Sequence, residues 1–183
     1  MYSGLFGLLA ACAEASGDGT TKDGDGASSL PEIVINEFLA DNTSYADPDG
    51  DPVDSADPGE FDDWVELYNA GDTLVQLEGL YLTDDFAEPT KWAMPTGQGI
   101  GPGEFLVVWC DGEPEQGELH ASFQLEKNGE EIGLYYAADG EGGWVNKVEY
   151  GNTATDRSNA RVPDGARNWE TGVAPTPGDS NGE

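Results

Sequence analysis

Five aspartates crowd the stretch "DPDGDPVDSAD": Asp47, Asp49, Asp51, Asp54 and Asp57, spaced first by two residues and then by three. Carboxylates at this density suit calcium, a hard cation that takes six to eight oxygens at about 2.3–2.6 Å and tolerates irregular geometry. Asp63, just past the stretch, completes the candidate metal set, with Asp62 beside it; Asp84 and Asp85 join only if the fold brings their turn close. The pattern is not an EF-hand, because its sixth and twelfth positions are Pro52 and Pro58, where a turn glycine and a bidentate glutamate are needed. The alternative reading is a solvated acidic loop in an acidic protein. Calcium is the one cofactor toward which the sequence points.

Other chemistry is scarce. The single histidine, His120, has no Gly-x-Ser-x-Gly elbow to serve and no cysteine context suggesting a nucleophile. Zinc sites draw on several His or Cys ligands, and the two cysteines here are Cys12 and Cys110, the latter closing an apolar run as a small buried hydrophobe does. No phosphate loop or dinucleotide fingerprint is present. Paired carboxylates of the glycosidase kind cannot be singled out among so many acids. No catalytic residue is assigned, and the chain is read as a non-enzyme.

Cys12 has its own explanation. It follows "LFGLLAA", too short to span a bilayer but adequate as the end of a signal-peptide core, and Leu9, Ala10, Ala11 and Cys12 match the lipobox of bacterial lipoproteins. Cys12 is therefore the expected lipid-attachment residue, although residues 1–7 lack the Lys or Arg with which signal peptides begin; a chance cysteine is the alternative. Residues 13–30, "AEASGDGTTKDGDGASSL", read as a flexible tether. The expected organisation is a signal-peptide end over 1–12, a tether over 13–30 and one domain over 31–183.

Charge narrows the partners. Against 37 acidic residues stand 7 basic ones, a formal net charge of -30, and the cations are scattered. Without a Lys or Arg cluster to release counterions from phosphate, nucleic acid is excluded as a partner, and an anionic membrane can hold the chain only through a lipid anchor. The expected partner is a protein or a polysaccharide.

The elements that must carry these residues are strands. From Ile33 onward apolar residues recur in short runs of period-two character between Gly, Pro, Asn and Asp clusters. Strands are expected at 33–39, 64–69, 75–83, 91–94, 105–110, 120–124, 131–136, 144–150 and 158–162, and Asn128-Gly129 is the sharpest hairpin signal. Eight to nine strands without helical periodicity predict an all-β fold, two packed antiparallel sheets. Trp64, Trp92, Trp109 and Trp144 sit in strand patterns and are expected in the core, while Trp169, in a Pro- and Gly-rich tail, is expected to be partly exposed. Asn36 and Glu37 interrupt one apolar strand and Glu66 another; such carboxylates must be exposed, hydrogen-bonded or bound to a cation.

In order, "IVINEFLADNTS", an acidic loop, "DDWVELYNAGD", "LEGLYLTDD", "TKWAMP", "IGPGEFLVVW", "HASFQLEKNGEEIGLY" and the closing "RVPDGARNWE" and "APTPGDSNGE" resemble the bacterial lamin tail domain over roughly residues 32–181. The aspartate spacing is also similar to the calcium repeat of thrombospondin type 3, departing from it at Pro52. The lamin-tail resemblance implies an immunoglobulin-like antiparallel β-sandwich without a catalytic set, exported and adhesive in bacteria. The expectation is a binding or structural module on the bacterial cell envelope, outward-facing or secreted; an accessory or degenerate unit of an extracellular hydrolase is the alternative.

Overall fold

A computed structural model describes residues 30–44, 61–138 and 141–182. Eleven strands follow one another among these residues: β1 (Ile33–Leu39), β2 (Trp64–Asn69), β3 (Val75–Gln76), β4 (Leu80–Thr83), β5 (Trp92–Ala93), β6 (Gly99–Ile100), β7 (Phe105–Trp109), β8 (Glu131–Ala138), β9 (Glu141–Glu149), β10 (Ser158–Arg161) and β11 (Trp169–Val173). A five-stranded sheet has the order β11-β10-β1-β2-β7, a four-stranded sheet the order β5-β4-β8-β9, and β3 pairs with β6 in a short ribbon. Every strand pair is antiparallel.

The two large sheets face one another across a single core. Ile33, Ile35, Val65, Leu67 and Val108 from one meet Leu80, Leu82, Ile132 and Leu134 from the other, and Val75 and Ile100 of the ribbon close one side. Alternation explains which residues arrive there: Val65 and Leu67 point inward while Trp64, Glu66 and Tyr68 point out. The fold is the expected immunoglobulin-like β-sandwich.

Strand boundaries differ from expectation in places with clear causes. The run 75–83 is broken by a turn in which Gly79 has φ +82° and the Leu80 amide donates to the Leu77 carbonyl. Residues 120–124 make only isolated bridges, His120 to Trp109 and Gln124 to Asp111, so they form no strand. Asn128-Gly129 consequently makes no hairpin. It is a tight turn into β8, and Gly129, at φ +107°, lies so close to the next loop that a Cβ there would stand 2.5 Å from the Tyr150 carbonyl oxygen. β6 and β11 were not expected as strands.

One irregularity positions the polar residues of β1. The ladder between β1 and β2 shifts register between Ile35 and Glu37, a β-bulge at Asn36. In a regular strand Glu37 would follow Ile33 and Ile35 into the core. The extra residue turns Phe38 inward instead and presents both Asn36 and Glu37 to the outer face, where Glu37 stands opposite Glu66.

Candidate functional site

Of the six residues of the candidate metal set, Asp47, Asp49, Asp51, Asp54 and Asp57 lie outside the described residues, as does Cys12. Asp63 is described, and its carboxylate is engaged by the fold. Its Oδ1 accepts the backbone amides of Asp41 and Asn42, each at 2.8 Å, while Asn42 Nδ2 donates to the Asp62 carbonyl at 2.8 Å. Burial pushes the Asp63 pKa up despite those two amides. On the same stem Thr43 donates from its amide and its hydroxyl to Asp156, at 2.7 and 2.8 Å, and the Asp41 carboxylate takes hydrogen bonds from Lys127 and Thr155. Both ends of the acidic stretch are thereby tied to the sandwich. Asp84 pairs with Lys91, and Asp85 accepts the Ala87 amide in its own turn. Among the described residues, no three His, Cys, Asp or Glu side chains gather as a metal site would require.

The carboxylates that interrupt the strands are buried. Glu37 and Glu66, cross-strand neighbours, are both 0% exposed. Residues 174–182 lie over them: the Thr176 amide and hydroxyl donate to Glu37 and the Gly178 amide donates to Glu66 at 2.7 Å. Asn36 Nδ2 donates to Glu66 and to Asp164, both at 3.0 Å, and Asn36 Oδ1 accepts the Gly165 amide at 3.0 Å. Asp164 in turn accepts the Asn181 amide at 3.0 Å. Loss of water raises both glutamate pKa values, Glu66 to about 8, and the negative charges of Glu37 and Asp164 push Glu66 further the same way. Thr176 Oγ1 lies 2.9 Å from Glu37 Oε2 and 2.6 Å from Asn181 Oδ1, so its single proton is shared between two acceptors.

His120 is not a free base either. Its Nδ1 is paired with the buried Asp111 carboxylate, whose other oxygen accepts the Glu113 amide at 2.8 Å. Cys110 is buried, and desolvation carries its thiol pKa well up, which leaves no thiolate for chemistry.

A family model of the lamin tail domain matches residues 26–152. The chain belongs to the lamin tail domain family. No curated protein and no solved structure matches it. This lamin tail domain carries β10, β11 and residues 174–182 beyond the matched stretch, and residues 174–182 supply the Thr176 and Gly178 hydrogen bonds that cover Glu37 and Glu66.

The aromatic residues divide differently from the expectation. Trp64, Trp92 and Trp109 are buried. Trp144 is half-buried and lies outside the core, on the outer face of the four-stranded sheet, because a register shift between Leu134 and Tyr135 sets it opposite Tyr135. There it lies over Gly133 with its ring edge-on to Phe86 and Tyr135, at 5.2 and 5.1 Å between centroids, under the Lys147 amine. Trp169 is partly exposed as expected, but within β11, packed on the core. Sequence reasoning missed the tail residues Asp164, Thr176 and Asn181 as partners of Glu37 and Asn36. The one available signal was the pair of polar residues in the middle of β1, which required partners of some kind.

Proposed function

We propose that this lamin tail domain is a non-catalytic module displayed on a bacterial cell envelope, held by a lipid on Cys12, that binds an extracellular protein or polysaccharide. One observation carries the reading. The described groups most able to do acid–base or nucleophilic chemistry (Glu37, Glu66, Asp63, the His120–Asp111 couple and Cys110) are buried, or in Asp63 half-buried, and all hold the fold together through hydrogen bonds of their own. A general base needs reach to a substrate proton. A sandwich whose reactive groups are covered by its own chain is suited to presenting surfaces. The test is to incubate the full chain with extracellular polysaccharides and with casein while recording both retention on the immobilised polymer and release of reducing ends or peptides. Retention without release is expected; turnover abolished by Glu66→Gln would overturn the reading.

Calcium belongs to the same proposal. The hydrogen bonds that Asp63, Asn42 and Asp156 make at the two ends of the acidic stretch shorten the loop an ion would have to close, which lowers the entropy of gathering Asp47, Asp49, Asp51, Asp54 and Asp57. Calorimetric titration with calcium and then with magnesium, on the chain and on a variant with Asp47, Asp49 and Asp51 changed to Asn, decides it. Saturable calcium heat lost in the variant is expected, and equal heats with magnesium would remove calcium from the account.

A further inference from the structure

We infer that the groove between β9 and the β10–β11 edge is a binding site for a neutral sugar residue of a polysaccharide, an inference that rests on the binding-module reading above. The groove encloses about 460 Å³, within the roughly 300–1,000 Å³ of small-ligand clefts. It runs along one open side of the sandwich, where β9 of the four-stranded sheet approaches β1 of the five-stranded one.

Three rings line it. Phe38, at the floor, packs against Tyr150 with centroids 4.6 Å apart and against Trp169 at 5.6 Å. The Arg161 guanidinium lies 4.6 Å from the Trp169 ring centroid and is fixed by hydrogen bonds to the Ile35 and Ala166 carbonyls, so the indole rests on a rigid support. The Tyr150 hydroxyl is turned away toward Glu130 and the Glu126 carbonyl, which leaves its ring to the groove. Such a wall suits the C–H face of a pyranose, which is apolar though the rim of the same ring is hydroxylated.

The decisive residue is Asn159. It stands opposite Phe38 on β1 and opposite Thr171 on β11, and therefore shares their face. It is 8% exposed, lines the groove, and its side-chain amide has no hydrogen-bond partner among the described residues. Among the described residues the side-chain atoms sealed from solvent without a partner are Trp64 Nε1, Trp109 Nε1 and Ser158 Oγ, not those of Asn159, so its two donors and its acceptor remain open to the groove and to the hydroxyls of a ligand. The cleft beside β3 differs from this groove. There Asn69 is also buried, but its amide donates to the Thr73 and Ile100 carbonyls at 2.8 Å and its oxygen accepts the Gly71 amide, so it needs no ligand.

Thr171, Asn152 and the exposed Lys147 and Glu149 complete a rim able to donate to and accept from sugar hydroxyls, in which the one cation is offset by the one anion. A net charge of -30 repels uronates and sulfated chains, which leaves neutral polymers.

The test titrates the full chain with neutral hexasaccharides of β-1,4-linked glucose, xylose, mannose and N-acetylglucosamine, with hexagalacturonate as the anionic control, following tryptophan fluorescence and heat. At least one neutral oligosaccharide should bind and hexagalacturonate should not. Asn159→Leu and Trp169→Ala should each weaken binding about tenfold or more, while Trp144→Ala, on the outer face of the other sheet, leaves it unchanged. Asn159→Leu removes an unpartnered polar group, so its melting temperature should hold or rise, which separates lost binding from lost folding. Equal affinity in Asn159→Leu overturns the groove while the binding-module reading stands. Failure of every neutral oligosaccharide also overturns it, and retention of the chain on whole polymers or protein then shows whether the broader reading falls with it.

Discussion

Raising the pH from about 5 to about 8.5 should loosen this protein, because Glu66 lies at 0% exposure opposite Glu37. Its pKa of about 8 stands against an ordinary 4.5. The folded state therefore holds a proton that the unfolded chain releases above pH 4.5. The group's stabilisation is complete below that value and is lost as pH rises through the folded value. Each pH unit crossed inside the window removes up to about 1.4 kcal/mol, so the whole window is worth on the order of 4 kcal/mol. Glu37, Asp63 and Glu130, whose pKa values burial also raises, act in the same direction. Asp41, held low by its hydrogen bonds to Lys127 and Thr155, acts only in acid, its contribution disappearing as pH falls below its ordinary 3.8. The assay is urea unfolding at several pH values on the chain and on Glu66→Gln, whose side chain cannot ionise. The chain should lose stability steadily toward pH 8.5, and the variant should show a much shallower slope. Stability that stays flat or rises over this range, or an unchanged slope in Glu66→Gln, would refute the argument.

Two further outcomes follow from local geometry. Asp63→Ala deprives the Asp41 and Asn42 amides of their shared acceptor and should lower unfolding free energy by about 2 kcal/mol, measured by urea melts, with faster proteolysis between Asp41 and Asp63. Gly129→Ala sets a Cβ 2.5 Å from the Tyr150 carbonyl at φ +107°, and should cost about 2 kcal/mol or more; an unchanged melting temperature would show that this turn relaxes freely.

The sheet architecture was legible in the chain because period-two burial is a local property. Ile33–Leu39 and Trp64–Asn69 are strands with the bounds that alternation gives, and the inward placing of Val65 and Leu67 against Trp64, Glu66 and Tyr68 follows from the same period. The order of motifs carried the family. The anion excess, the lone histidine and the isolated cysteines also bounded the chemistry before any fold was known.

What pattern could not supply are contacts between residues far apart in the chain. Whether Glu37 faces core or solvent depends on one bulge at Asn36, and whether it is charged depends on Thr176, 139 residues away, lying on top of it. Trp144 reads as a core residue until the register shift in β8–β9 turns it outward. Asn159 reads as an ordinary polar strand residue, and only the meeting of β9 with β10 and β11 makes it a buried amide without a partner. Alternation along a strand is set by neighbouring backbone geometry and can be read from residue types alone. Burial of a polar group, its proton and its partners are set by what packs across from it, and that is decided by tertiary structure.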